Sequence, residues 1–195
     1  MATPSSQIKF PEGNSYGPGF FLPDSPLYGL DLLWQKTRLT FTADPVRKAH
    51  IRASIAGERI AELNAMLSKN DLDAINVVLA RMEKEARVGS NELNASEETA
   101  DVTQEAAKIL NEAIKAQRSV LLSLVGQTDS ELSLKIRGTR ETLLRSKLTV
   151  EDELPESMLK KEMKREFEAA ALESLEYSEE LTNEAESNLN ALGKL

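Results

Sequence analysis

Apolar side chains recur three or four residues apart over most of this chain, which is the spacing of one helix face. The clearest run lies over 45–68, and its apolar face consists of Val46, Ala49, Ala53, Ala56, Ile60, Leu63 and Leu67. Similar runs follow over about 72–86, 102–125 and 129–147, with a less regular one over 155–191. No segment shows with any strength the period of two that a half-buried strand requires. The pattern predicts an all-α protein, an elongated antiparallel helical bundle of five to six helices.

The first helix is predicted to begin at Pro26 and to end near Thr40. Ser25 is a suitable N-cap, and a proline at the first helical position loses no hydrogen bond. We expect the apolar stripe of this helix to face the core. The stripe consists of Leu30, Leu33, Trp34 and Phe41.

Cap and turn residues mark the later boundaries. Asp44 and Pro45 are predicted to be the cap and the first residue of the second helix. Asn70 and Asp73 resemble a capping box at the start of the third helix. The Gly-Ser-Asn run at 89–91 weakens that helix, and the polar residues after it form either a loop or a frayed continuation.

Residues 1–24 differ in composition from the rest of the chain, because they are rich in proline and glycine. Their aromatic residues are Phe10, Tyr16, Phe20 and Phe21. Disordered tails are usually poor in aromatic residues, so we expect an extended arm that packs on the helices of its own domain. Docking on another subunit and an unstructured tail are the alternatives. The predicted organisation is an arm over 1–24, a helical bundle over 25–148 and a long acidic helix over 149–195.

Negative charge is concentrated at the C-terminal end. The formal net charge is −8, yet residues 1–150 carry 19 acidic and 19 basic residues, whereas residues 151–195 carry 13 and 5. Nucleic acid and anionic lipid both attract a basic face, so neither is an expected partner. No apolar run reaches the ~18 residues that span a bilayer. We expect a protein partner or self-association, with Glu179, Glu180 and Glu184 of the final helix as contact residues.

Residue types that carry catalysis or bind metals are sparse. The chain has no cysteine, which excludes disulfides and thiolate sites, and its only histidine is His50. The segment from Gly13 to Gly17 has the G-x-S-x-G pattern of hydrolases but no preceding strand and no histidine base. The segment at 70–73 begins like a calcium loop but lacks its glycine and terminal glutamate. No catalytic residue, metal ligand or cofactor is therefore expected.

One polar cluster is expected to be structural. Glu58 and Glu62 lie on one helix face, and Arg59 is placed to pair with Glu62. We expect these three residues to form a clamp to the arm or to the first helix, with Ser25 and Tyr28 as its other members. The alternative is acid–base chemistry by the two carboxylates, which requires a cleft beside the second helix.

Three motifs occur in one order and spacing: Pro23-Asp24-Ser25-Pro26-Leu27-Tyr28, Thr40-Phe41-Thr42-Ala43-Asp44-Pro45 and Ala56-Gly57-Glu58-Arg59-Ile60-Ala61-Glu62. They resemble an uncharacterised family of bacterial and archaeal helical domains with a Pro-Asp-Ser-Pro-aromatic-Tyr start, a Phe-Thr-x-Asp-Pro joint and an Ala-x-x-Arg-x-x-Glu helix. The resemblance covers about residues 21–125 and implies no activity. It implies an extracytoplasmic or cell-envelope location, because the domain commonly follows an export signal or membrane anchor there. The N-terminus shows no signal-peptide pattern, so a cytoplasmic location is the alternative if Met1 is the native start.

Together these features favour a non-enzymatic interaction or scaffold protein that uses the aromatic arm and the acidic C-terminal helix as contact surfaces. The alternative is a cation-binding or sensing domain, because carboxylates on the final helix could hold Ca²⁺ or Mg²⁺ if a loop converged them. An enzyme acting through Glu58 and Glu62 is the third reading, and it predicts a pocket beside the second helix, which a solid core there would exclude.

Overall fold

The computed structural model describes residues 17, 19–168 and 171. Its five long helices are α1 (Tyr28–Thr40), α2 (Pro45–Lys69), α3 (Leu72–Asn94), α4 (Ala100–Val125) and α5 (Ser130–Glu151). A further helical segment over 156–168 is labelled α6. These described ranges contain no strand, and the prediction of an all-α helical bundle is confirmed. The predicted arm up to residue 16, and the predicted final helix beyond residue 171, lie outside the described residues.

The chain divides into two compact units, Met1–Leu154 and Pro155–Leu195. In the first unit, α2 packs against α3 and α4, and α5 packs against the same two helices. Apolar side chains with at most 1% of their surface exposed form its interior, among them Ile55, Leu63, Met66, Val78, Met82, Leu121, Leu124, Ile136, Leu143 and Val150. Burial of each such side chain contributes about 1.5–3 kcal/mol, so this four-helix interior is the main source of stability. In the second unit, α6 contains the ion pairs Lys160–Glu156 and Arg165–Glu162.

The start of the first helix differs from the prediction. α1 begins at Tyr28 rather than at Pro26, its N-cap is Leu27, and no side chain caps it. The hydroxyl of Ser25 instead accepts a hydrogen bond from the backbone nitrogen of Leu27 at 3.2 Å. Serine therefore closes a turn before the helix rather than capping the helix itself. The start of α2 is as predicted, because Asp44 caps it and a proline follows directly.

The turn between α2 and α3 is not the capping box predicted for Asn70 and Asp73. Asn70 adopts the left-handed conformation, with a φ of 54°, and ends α2. Asp71 is the N-cap of α3, and its Oδ1 accepts a hydrogen bond from the backbone nitrogen of Ala74 at 3.0 Å. Asparagine tolerates left-handed backbone better than most residues, which explains its use at this helix end.

α3 continues through the Gly-Ser-Asn run at 89–91 and ends at Asn94. Gly89 is buried, and a Cβ there would lie 3.1 Å from the Cδ of Arg52 on α2. The glycine thus allows close approach of the arginine side chain, and packing around it outweighs its low helix propensity. The polar residues over 95–99 form the loop to α4.

The prediction that the apolar stripe of the first helix faces the core is wrong. The exposed fractions are 56% for Leu30, 60% for Leu33, 56% for Trp34 and 85% for Phe41. The residues that α1 buries are Tyr28, Asp31 and Gln35, and its main packing partner is α2. At that place α2 carries Arg59 and Glu62, both fully buried, and such charges require polar partners rather than leucines.

None of the described helices combines the length and the apolar composition that crossing a membrane requires.

Candidate functional site

Five polar side chains join α1 to α2, and we call this group the clamp: Tyr28, Gln35, Glu58, Arg59 and Glu62. The hydroxyl of Tyr28 accepts a hydrogen bond from Arg59 Nη1 at 2.7 Å and donates one to Glu62 Oε2 at 3.0 Å. Arg59 forms an ion pair with Glu62 and donates from Nη2 to Gln35 Oε1 at 2.5 Å. Gln35 Nε2 donates to Glu58 Oε2 at 2.7 Å. Both α1 members of the clamp are therefore bonded to charged residues of α2.

Burial sets the ionisation of the clamp. It raises the pKa of Glu62, although the Arg59 charge and the hydrogen bonds from Arg59 and Tyr28 oppose the shift. It also raises the pKa of Glu58, again against the charge of Arg59. For Arg59, burial alone would lower the pKa, but the surrounding acidic groups raise it overall. Burial also raises the pKa of Tyr28. The clamp therefore contains a neutral phenol and a guanidinium cation at neutral pH.

Asp31 completes the buried face of α1, with 4% of its surface exposed. Gly19, from the segment before the helix, lies against this carboxylate. A methyl group at Gly19 would overlap Asp31 Oδ2 and lie 3.1 Å from Asp31 Cγ. Only glycine permits so close an approach without displacement.

The outward side of α1 carries large apolar residues, which we call the α1 stripe: Leu27, Leu30, Leu33, Trp34 and Phe41. Their exposed fractions run from 46% to 85%. Because they recur at intervals close to three, four and seven residues, they occupy one side of the helix. Contiguous exposed apolar surface of this kind marks interaction sites in many proteins.

A cavity of about 520 Å³, which we call the α1–α3 trough, lies between α1, α2 and α3. Its apolar lining comes from Leu32, Leu33, Leu39 and Val88. Its charged lining consists of Lys36, Lys48, Arg52, Arg81, Lys84, Glu85 and Glu92. Both glutamates are within ion-pair distance of Arg52, at 3.5 Å and 2.6 Å. The other four cations form no ion pair with the described residues, so the trough carries excess positive charge.

The three described cavities all lie beside α2, but the two carboxylates considered for acid–base chemistry line none of them. Glu58 and Glu62 line neither the trough, nor the cavity of about 320 Å³ beside Arg52, nor that of about 570 Å³ between α2 and α4. Both instead accept hydrogen bonds within the clamp. Their geometry suits the holding of α1 rather than proton transfer to a bound substrate.

The structure places the other residues singled out from the sequence as follows. Ser25 bonds within its own turn rather than to the clamp. Phe20 is 86% exposed, and Phe21 is half-buried. His50 is exposed. The remaining predicted contact residues lie outside the described part of the chain and stay predictions: Phe10, Tyr16, Glu179, Glu180 and Glu184.

No group of three or more histidine, aspartate or glutamate side chains within 17, 19–168 and 171 is arranged to hold a metal ion. The acidic segment on which the cation-binding alternative depends lies largely beyond these residues.

Sequence reasoning missed Gln35 as a hydrogen-bond partner of the second helix and Asp31 as a buried residue of α1. A signal was present, because Tyr28, Asp31 and Gln35 follow one another by three and four residues and so share one helix face. That polar face competes with the apolar stripe for the position against α2. The buried Arg59 on α2 decides between the two faces.

A family model described as a domain of unknown function, DUF5667, matches residues 21–131, which is more than half of the chain. The matched range contains α1, the clamp, the trough and α2 to α4. The resemblance to an uncharacterised family of helical domains is thereby confirmed. No curated protein and no solved structure matches the chain.

Proposed function

The chain belongs to the family described as a domain of unknown function, DUF5667, and on that premise we propose a non-enzymatic interaction protein that presents the α1 stripe to a protein partner. The orientation of α1 carries this proposal. Its polar face is bonded to α2, and its apolar face is turned outward. The large apolar side chains of the helix therefore remain exposed, where another molecule can contact them.

The energetics of the stripe support a contact role. A large apolar side chain left in water forfeits about 1.5–3 kcal/mol that burial would supply. Leu30, Trp34 and Phe41 each keep more than half of their surface exposed. A partner that covered them would recover this free energy, and tryptophan is among the residues that most often dominate such interfaces.

The clamp supports the same role because it fixes the helix before a partner arrives. Arg59 and Glu62 have no exposed surface, and they hold α1 by hydrogen bonds to its inner face. A surface held in its bound conformation loses less conformational entropy on association. The buried polar cluster and the exposed apolar stripe are thus two faces of one presenting helix.

We extend the proposal to location. The three sequence motifs resemble those of bacterial and archaeal domains that commonly follow an export signal or membrane anchor, which supports an extracytoplasmic or cell-envelope site. Fractionation of native cells, with detection by antibody, tests this part separately. Recovery with cytoplasmic markers alone would refute it and leave the contact role unaffected.

The contact role is tested by a variant with Leu30→Glu and Trp34→Glu. Tagged wild-type and variant proteins are purified from native cells, and the co-purifying proteins are quantified. We expect specific partners of the wild type to be lost from the variant, because charges placed in the centre of an interface oppose desolvation.

The matched control is Leu134→Glu with Leu148→Glu. Both leucines lie on α5 and are 69% and 51% exposed, so the control has the same chemistry at another surface. It should retain the partners, and far-ultraviolet circular dichroism should show the same helix content for all three proteins. Equal recovery of partners with the stripe variant and the wild type would refute the proposal.

A further inference from the structure

The α1–α3 trough is lined by apolar residues from both α1 and α3, among charged ones. It extends along α1 from Gly29 to Thr40 and along α3 from Arg81 to Glu92. The twelve residues of each wall are separated by eleven steps of 1.5 Å, so each wall is about 16 Å long. Leu33 belongs to both the trough and the α1 stripe and is 60% exposed, so the two surfaces are continuous. A molecule seated on the stripe can therefore reach into the trough.

Charge distinguishes the trough from the rest of the first unit. Residues 1–150 have equal numbers of acidic and basic residues, yet Lys36, Lys48, Arg81 and Lys84 line this one groove without an ion-pair partner in the described chain. The two acidic residues of the lining, Glu85 and Glu92, are already occupied by Arg52. Complementary charge in a partner would be negative and would need to be distributed along the groove.

We propose that the trough binds an acidic peptide segment with aliphatic side chains, supplied by the protein partner that covers the α1 stripe. This inference rests on the proposed function, because it specifies the chemistry of that partner. Aliphatic side chains of the segment contact Leu32, Leu39 and Val88. Its carboxylates pair with the four cations that have no ion-pair partner among the described residues. A groove between two helices admits a peptide, whereas the flat surface of a lipid bilayer contacts only its rims.

The test uses two synthetic probe peptides of about 14 residues, enough to span the trough as a helix. One has leucine at every third or fourth position and glutamate elsewhere, and the other has lysine in place of each glutamate. Binding to the full chain is measured by fluorescence anisotropy. The acidic peptide should bind saturably and more weakly as salt is raised, and the basic peptide should not bind.

Charge reversal at Lys36→Glu with Lys84→Glu should weaken binding of the acidic peptide about tenfold to thirtyfold, from the usual strength of exposed ion pairs. The same variant should acquire binding to the basic peptide, which loss of folding could not produce. The control, Arg87→Glu with Arg137→Glu, changes the net charge equally at exposed positions of the first unit that do not line the trough. It should bind both peptides as the wild type does.

Equal binding of the two peptides, or an affinity that is unchanged by the Lys36 and Lys84 reversal, would overturn the inference. So would binding of phosphatidylglycerol vesicles that depends on the same lysines while the acidic peptide does not bind. If the α1 stripe variant still loses its cellular partners in that case, the proposed function stands and only the acidic segment is wrong. If the partners are retained, the proposed function has failed by its own test.

Discussion

Arg59 has no exposed surface, and neither has Glu62, which lies three residues later on α2. The two residues pair with each other, but burial of an ion pair is compensated only if further hydrogen bonds satisfy its remaining donors and acceptors. Covering this part of α2 with leucines would leave both charges and the nearby Glu58 without the polar partners on α1. Tyr28 and Gln35 meet that requirement. The inner face of α1 is therefore polar, and its stripe remains outside.

Gly19 provides the first prediction at the residue scale. Substitution Gly19→Ala should lower the free energy of unfolding by about 1–3 kcal/mol, because the added methyl group overlaps Asp31 and forces a shift. Equilibrium urea denaturation measures the change. Gly17→Ala is the control, since no atom of the described residues lies within 4 Å of a Cβ at that position. The stability of this variant should stay equal to that of the wild type or rise slightly. Equal effects of the two substitutions would contradict the close contact at Asp31.

Glu58 provides a prediction of pH dependence. Burial raises its pKa in the folded chain above the reference value of 4.5. As the pH falls, the folded state therefore binds the proton at a higher pH than the unfolded state does. This group therefore stabilises the fold fully below about pH 4.5 and loses that contribution as the pH rises through the raised pKa. Glu58→Gln removes the titration and should be more stable than the wild type at pH 7. Its advantage should shrink as the pH is lowered toward 4.5. Urea denaturation across this range measures the difference, and an advantage that grows on acidification would contradict the raised pKa.

At the scale of the elements, apolar periodicity was sufficient to predict a helix that has one apolar face and packs against its neighbours on that face. The apolar face of 45–68 predicted α2, and the pattern after residue 100 predicted α4 and α5. Asp44 and Pro45 gave the start of α2 for a local reason, since a cap acts within four residues. Local signals of this kind require no knowledge of the neighbouring helices.

The predictions from sequence were wrong where a neighbouring helix determines which face of a helix is buried or where that helix ends. α1 has two candidate faces, and periodicity alone favours the apolar one. The choice of the polar face depends on Arg59, which is distant in sequence and whose burial depends on how α2 packs. Gly89 is a second case, because its close contact with Arg52 outweighs its low helix propensity. In both cases a buried arginine on α2 determines how the neighbouring helix packs against it.

Within the first unit, these elements produce a four-helix interior with α1 attached at one side of α2. The residues that were predicted to form the clamp come together, apart from Ser25. Glu58 and Glu62 line none of the described cavities. The contact surface was predicted at the arm and the acidic helix, and both lie mainly outside the described residues. The α1 stripe and the trough instead emerge from the orientation of a single helix. No property of that helix taken alone reveals them.

The orientation of α1 can be measured directly, because Trp34 is the only tryptophan of the chain and lies at the centre of the α1 stripe. Tryptophan fluorescence of the purified protein at low concentration should show the emission of an indole in water, with ready quenching by acrylamide, in agreement with its 56% exposure. Addition of the protein that co-purifies with the wild type should shift the emission to shorter wavelength and protect it from the quencher. A short-wavelength, protected emission from the isolated monomer would show that the apolar face is turned inward, and the account of α1 as a presenting helix would be wrong.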